Sequence, residues 1–154
     1  MARILVATDG SDLSITAAQR ALPLLRDDHE ITVLAVAPHP LGGALIAGPE
    51  GAGFAPAPQA SAEIEEAIAQ ESERHAERTA EALGVPVTKR VERGDPRLVI
   101  CRVAEEGFDL IVIGSHGYTG LKRLVLGSVA QSVVGHAPCS VEVVREKQPP
   151  ESDG

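Results

Sequence analysis

Gly114-Ser115-His116-Gly117, followed by Gly127-Ser128, is the stretch of this chain in which residue types and spacing point to chemistry. Glycines at 114 and 117 would let backbone amides approach an anion closely, because a Cβ at either place would obstruct it. Gly127-Ser128 then opens a helix, whose unpaired N–H groups and positive dipole end favour a phosphate, with the Ser128 hydroxyl as an added donor. The product would be an anion cradle built from backbone. The other reading, that these glycines only make turns, stays open on the segment alone. The pattern is neither GxxxxGK[ST] nor GxGxxG, so P-loop and dinucleotide-binding chemistry both lack their signatures.

Other candidates carry less. Thr8-Asp9-Gly10 ends an apolar run at 3–7, and Asp9 reads as a ligand-facing carboxylate or as a helix-capping one. His116 reads as a proton-transfer group or as a solvent-facing turn residue, and Lys122 and Arg123 as phosphate contacts or as a solvated helix face. His29, His39, His75 and His136 show no HxxxH spacing, so no metal site is expected. No GxSxG elbow surrounds Ser128, which argues against a hydrolase nucleophile.

The elements that must position these residues follow from periodicity and turn chemistry. Residues 3–7 predict a strand, and Asp9-Gly10-Ser11 a turn and cap before a helix through Ala17, Ala18, Ala21 and Leu22, with Pro23 as its kink or last turn. Residues 31–37 are apolar almost throughout, as in a strand covered on both faces. Residues 38–60 hold five Gly and five Pro, which predicts a long loop, either a mobile lid or an insertion. From Ser61 a helix is expected, with Glu63, Glu65 and Glu66 in its first turn, a buried stripe of Ile64, Ile68, Ala76, Ala80 and Leu83, and Gly84 as its stop. A strand at about 85–92 precedes Gly94-Asp95-Pro96, a sharp helix start whose inner face is Val99, Ile100, Val103 and Ala104. Asp109 to Gly114 predicts a central strand, followed by the glycine-rich loop, a helix to about 135 and a last strand at 140–145.

Composition narrows the class. At 154 residues, 44% hydrophobic and 23% charged, one domain over 1–146 with a real core is expected, with a polar, disordered tail at 147–154. A net charge of −8 argues against a nucleic-acid backbone as partner, and 2% aromatics against base-stacking platforms. No apolar run approaches the about 20 residues of a membrane span, so the chain reads as soluble and cytoplasmic. Cys101 and Cys139 form no CxxC pair and sit in apolar runs, as buried reduced thiols do.

Strands interleaved with helices predict an α/β fold, one doubly wound five-stranded parallel sheet in the order 3-2-1-4-5 with helices on both faces. In that order the chain reverses its direction of strand addition between strands one and four, and ligands of such sheets bind at that switch point. The residues there are Ala7-Thr8-Asp9-Gly10 and Gly114-Ser115-His116-Gly117.

Gly114-x2-Gly117-x9-Gly127-Ser128 matches every fixed position of the G-x2-G-x9-G-[ST] motif, and here the chain resembles the universal stress proteins of the adenine-nucleotide-binding type. The resemblance extends through Ile4 to Ser11, Gly94-x-Pro96, Asp109 to Gly114 and Ala137 to Val144, and departs at Ser140, where the family usually has Pro, and in the 38–60 loop. It implies that Asp9 binds the ribose or faces the nucleotide, with Ala7 and Thr8 beside the adenine and Val36 offering backbone groups to its edge. Gly114 would approach the ribose and α-phosphate, and Gly117, Gly127 and Ser128 would hold the phosphates, with Val129 adding a backbone N–H. Ser115 and His116 complete the site as residues of the motif loop. The implied function is that of a stress-response module binding ATP or another adenine nucleotide, AMP or cyclic AMP included, with Mg2+ accompanying the phosphates. The alternatives are a slow ATPase or nucleotidyl-transfer enzyme and a cyclic-AMP receptor. The implied partner is a second copy, paired through strand 140–145, with no nucleic acid and no membrane.

Overall fold

Side chains alternate across a strand, and the first strand, β1 (Ala2–Thr8), sends Ile4 and Val6 to one face of the sheet and Leu5 and Ala7 to the other. In the computed structural model, which describes residues 1–25, 28–40, 58–116 and 126–145, each face is then covered by helices. The elements follow as α1 (Asp12–Ala21), β2 (His29–Ala37), α2 (Pro58–Leu83), β3 (Thr88–Arg93), α3 (Pro96–Ala104), β4 (Leu110–Gly114), α4 (Ser128–His136) and β5 (Ser140–Val144). The five strands are all parallel, in the order β3-β2-β1-β4-β5. β1 is the hub, with Ile4 opposite Ile31 on one side and Leu110 on the other.

Two cores result. Leu5, Ala7, Leu34, Ile111 and Ile113 pack under α3 and α4, against Val99, Ile100, Val103, Ala130 and Val133. Ile4, Val6, Ile31, Val33 and Val112 pack under α1 and α2, against Ala18, Ala21, Ala76 and Leu83. Strands buried on both faces need apolar residues at nearly every position, which is why their sequence runs show no alternation. Truncating a fully buried side chain such as Leu5 to Ala would cost about 2–5 kcal/mol.

The helix starts follow their capping residues. The Ser11 hydroxyl accepts from the Ser14 amide at 3.1 Å, and the Asp95 carboxylate from the Arg97 amide at 2.9 Å, with Pro96 in the first turn. Pro23 lies in a short 3-10 turn, Leu22–Leu24, beyond the end of α1. β3 begins at Thr88 rather than 85, since Pro86 has no N–H to offer a ladder.

The largest correction concerns α2, which begins at Pro58. Residues 58–60 therefore belong to the helix, and Glu63, Glu65 and Glu66 lie beyond its first turn. Its buried stripe is Ala69, Ser72, Ala76, Thr79 and Leu83, and Ile64 is 44% exposed. The physical reason is spacing: these positions follow i, i+3, i+4 steps along one face, and two of them are hydroxyl residues that a search for large apolar side chains passes over. The expected loop at 41–57 and the tail at 147–154 lie outside the described residues. No described helix is long and apolar enough to cross a membrane.

Candidate functional site

A cavity of about 310 Å³ opens at the carboxyl ends of β1 and β4, the point where strand addition reverses. Ala7, Thr8 and Asp9 reach it from β1 and the turn beyond, and Val36 from β2. Gly114, Ser115 and His116 reach it from β4 and its following loop, and Gly127, Ser128 and Val129 from the start of α4. Gly117, like Lys122 and Arg123, lies outside the described residues. The structure adds lining residues that sequence reasoning missed: Ser14, Leu34, Ile113, Ala130, and Pro96 and Ile100 from α3. Leu34 was within reach, since it shares a strand face with Val36 two residues on. Pro96 and Ile100 carry no local signal, because only the packing of α3 over the sheet brings them there.

Each end of the cavity has its own polarity. At the α4 end, the first bond inside the helix runs from the Gln131 amide to the Gly127 carbonyl at 2.9 Å, so the amides of residues 128–130 precede the helix's own ladder. Gly127 is the N-cap and no side chain among the described residues caps the helix start, while the Ser128 side chain is exposed. These are the groups that bind anions at helix N-termini. At the β1 end stands the Asp9 carboxylate, of which Oδ1 accepts from the Ser11 amide at 3.0 Å. The apolar side chains of Leu34 and Val36 line the cavity from β2, on the side of β1 away from β4, and those of Ile100 and Ile113 from α3 and β4.

The loop after β4 is held to its neighbours through backbone. The Ser115 amide donates to the Val144 carbonyl at 3.0 Å, and the Gly127 amide donates to the Ser115 carbonyl at 2.7 Å. The buried Ser115 hydroxyl lies 2.9 Å from His116 Nδ1, and His116 Nε2 is a buried polar atom without a hydrogen-bond partner among the described residues.

Two glycines of the site stand close to neighbouring backbone. A Cβ at Gly114 would meet the Ser14 Cα and the His116 carbonyl oxygen at 3.5 Å, ordinary contact. A Cβ at Gly127 would come within 3.1 Å of the Ser115 carbonyl oxygen and 3.4 Å of the His116 Cα. Its φ of −58° suits any residue, so the constraint at 127 is the closeness of the loop.

This crevice at the switch point of a 3-2-1-4-5 sheet is where comparison with known proteins becomes decisive, and residues 1–145 match the universal stress protein family. The chain belongs to that family. It is similar to the universal stress protein MJ0531 of Methanocaldococcus jannaschii, 33% identical over 147 residues, covering 94% of this chain and 82% of the relative. Among solved structures it is similar to the universal stress protein UspA of Lactobacillus plantarum at 27% identity and a TM-score of 0.71, covering 94% and 97% of the two chains. Two more distant universal stress proteins share the fold. One, in complex with cyclic AMP, has 23% identity and a TM-score of 0.56 and covers 94% and 96%. The other, from Arabidopsis thaliana with AMP bound, has 19% identity and a TM-score of 0.60 and covers 98% and 97%.

Proposed function

We propose that this universal stress protein is an adenine-nucleotide-binding module whose ligand lies in the crevice between β1 and α4. The observation that carries the reading is the polarity of the cavity: apolar side chains from β2 on one side, a carboxylate just beyond β1, and on the other side the N-terminus of α4, which has no side-chain cap among the described residues. A nucleotide has matching parts in the order base, sugar, phosphate. Its sugar hydroxyls donate to Asp9, its flat base covers Leu34, Val36 and Ile113, and its phosphate oxygens accept from the amides at 128–130 and from Ser128. The cyclic AMP and AMP held by two proteins of this fold name the ligand class to test first.

ATP and AMP differ at the α4 end alone, in how many phosphates the cradle holds, whereas cyclic AMP has one phosphate, as AMP does, and lacks the free 3′-hydroxyl at the Asp9 end. The described residues contain no cluster of three or more metal-ligating side chains. Any Mg2+ would therefore ride on the phosphates of a polyphosphate ligand, as this ion commonly does. A second copy, paired through β5 in the cytoplasm, completes the proposed working form.

The experiment is to denature protein purified without added nucleotide and identify what is released, then to titrate ATP, AMP, cyclic AMP and GTP by calorimetry. Binding of at least one adenine nucleotide in preference to GTP is the expected result. No heat from any of them overturns the reading.

A further inference from the structure

The turn that carries Asp9 is gripped from the far side of the sheet. Three residues on one face of α2, His75, Arg78 and Thr79, converge on Thr8-Asp9-Gly10. Arg78 Nη1 donates to the Gly10 carbonyl at 3.0 Å, and its Nη2 pairs with Asp12 at 2.7 Å. The His75 ring fills the space beside Gly10, where a Cβ would collide with it, and Gly10 itself has φ +75°. Thr79, with no exposure at all, puts its hydroxyl 2.8 Å from Thr8 Oγ1.

Counting protons shows what Thr8 can do. Its hydroxyl has one donor and two acceptor places. It accepts from the Gly10 amide at 3.1 Å and meets Ser14 Oγ at 3.0 Å and Thr79 Oγ1 at 2.8 Å. Ser14 and Thr79 donate their own protons to the carbonyls of Ser11 and His75, both within 2.9 Å, so the Thr8 proton goes to one of the two neighbouring hydroxyls. Although Thr8 lines the cavity, its hydroxyl is enclosed by protein partners. Its work is to fix the turn, together with the Asp9 carboxylate oxygen that accepts from Ser11.

We infer that α2 is a positioning element of the binding site, with Thr79 and Arg78 holding the Thr8-Asp9-Gly10 turn so that Asp9 faces the hydroxyls of the ligand's sugar. The inference rests on the nucleotide reading and deepens it, because it assigns sugar discrimination to residues that never touch the ligand. Replacing the Thr79 hydroxyl by a methyl puts carbon where oxygen now sits 2.8 Å from Thr8. A methyl needs well over 3 Å there, so the turn must move.

The test compares ATP with 2′,3′-dideoxy-ATP, which keeps base and phosphates and lacks both sugar hydroxyls. Wild type binds ATP more tightly than the dideoxy analogue. Thr79→Val loses about three- to tenfold in affinity for ATP and keeps its affinity for the analogue, while Thr79→Ser restores ATP binding. Arg78→Met, at an exposed site that folding tolerates, shifts ATP alone in the same direction by about two- to threefold and serves if Thr79→Val fails to fold. Equal losses for both ligands, no loss in Thr79→Val, or a wild type that does not distinguish them each overturns the inference while nucleotide binding stands. A wild type that binds neither ligand overturns the nucleotide reading, and the inference with it.

Discussion

The amide of Gly127 reaches the carbonyl of Ser115 at 2.7 Å, tying the cap of α4 to the end of β4 across the mouth of the crevice. The same closeness makes a side chain at 127 tight, with a Cβ 3.1 Å from the Ser115 carbonyl oxygen, so the loop must give way to admit one. Gly127→Val should therefore displace Ser115 and His116 and abolish nucleotide binding, with the far-ultraviolet circular dichroism unchanged. Calorimetry with ATP checks it, and a Gly127→Val protein that binds like wild type removes the cradle.

Ser128→Ala takes away one hydroxyl aimed at a charged oxygen, a bond of about 1.5–3 kcal/mol, so affinity for a phosphate-bearing ligand should fall by about one to two decades. Adenosine, with no phosphate, should bind Ser128→Ala as it binds wild type. The pair of titrations locates Ser128 on the phosphate side of the ligand.

The two ends of the site differed in how far the sequence revealed them. Ser11 and Asp95 disclose their helices because a cap is a local device, legible in four residues. The strand order was legible because apolar runs alternate with helices, and the handedness of crossovers leaves few arrangements. Thr79 was not legible, since in a glutamate-rich helix a threonine reads as surface until Thr8 supplies its partner 71 positions away. Ile100 was read as core and also walls the cavity, a distinction that belongs to tertiary packing alone.

β5 lies at the sheet edge with Val141, Val143 and Val144 partly exposed, whereas the opposite edge, β3, is dressed with ion pairs from Lys89, Arg90 and Arg93. The expected outcome is a homodimer through antiparallel pairing at 140–145. Sedimentation at micromolar concentration should return twice the chain mass. A monomer there rejects the pairing.

Acid should weaken the fold where carboxylates are held ionised. Hydrogen bonding to Arg90 lowers the pKa of Glu106, and hydrogen bonding to Arg97 lowers that of Asp95. A carboxylate depressed by folding stabilises the native state above its unfolded pKa, about 4 for these groups, and loses that contribution as pH falls through the lower native value. Glu106→Gln should thus leave the melting temperature less sensitive to pH below about 4 than wild type. Thermal scans from pH 7 to pH 3 compare the slopes.

Burial raises the pKa of both the Cys101 and Cys139 thiols. Since the thiolate is the reactive form, an aromatic disulfide reagent at pH 7.5 should modify the native protein slowly, and both thiols at once in guanidinium. Rapid modification of native protein would contradict the burial of Cys101 and the partial burial of Cys139.

β1 is laid between two strands that the ribosome delivers far apart. Its inner ladder to β2 can close early, but its other side waits for β4, where Arg3 meets Asp109 across 106 positions of chain. At about 5–20 residues per second, that side of β1 stays unpaired for roughly 5–20 s during synthesis. Until then the crevice lacks the wall that β4 and α4 supply, so a ligand cannot assist the growing chain and can only select finished ones. An apolar strand with a free edge for that long is a template for mispairing, which makes the nascent chain, more than the folded protein, the stage at which a holding chaperone has something to grasp.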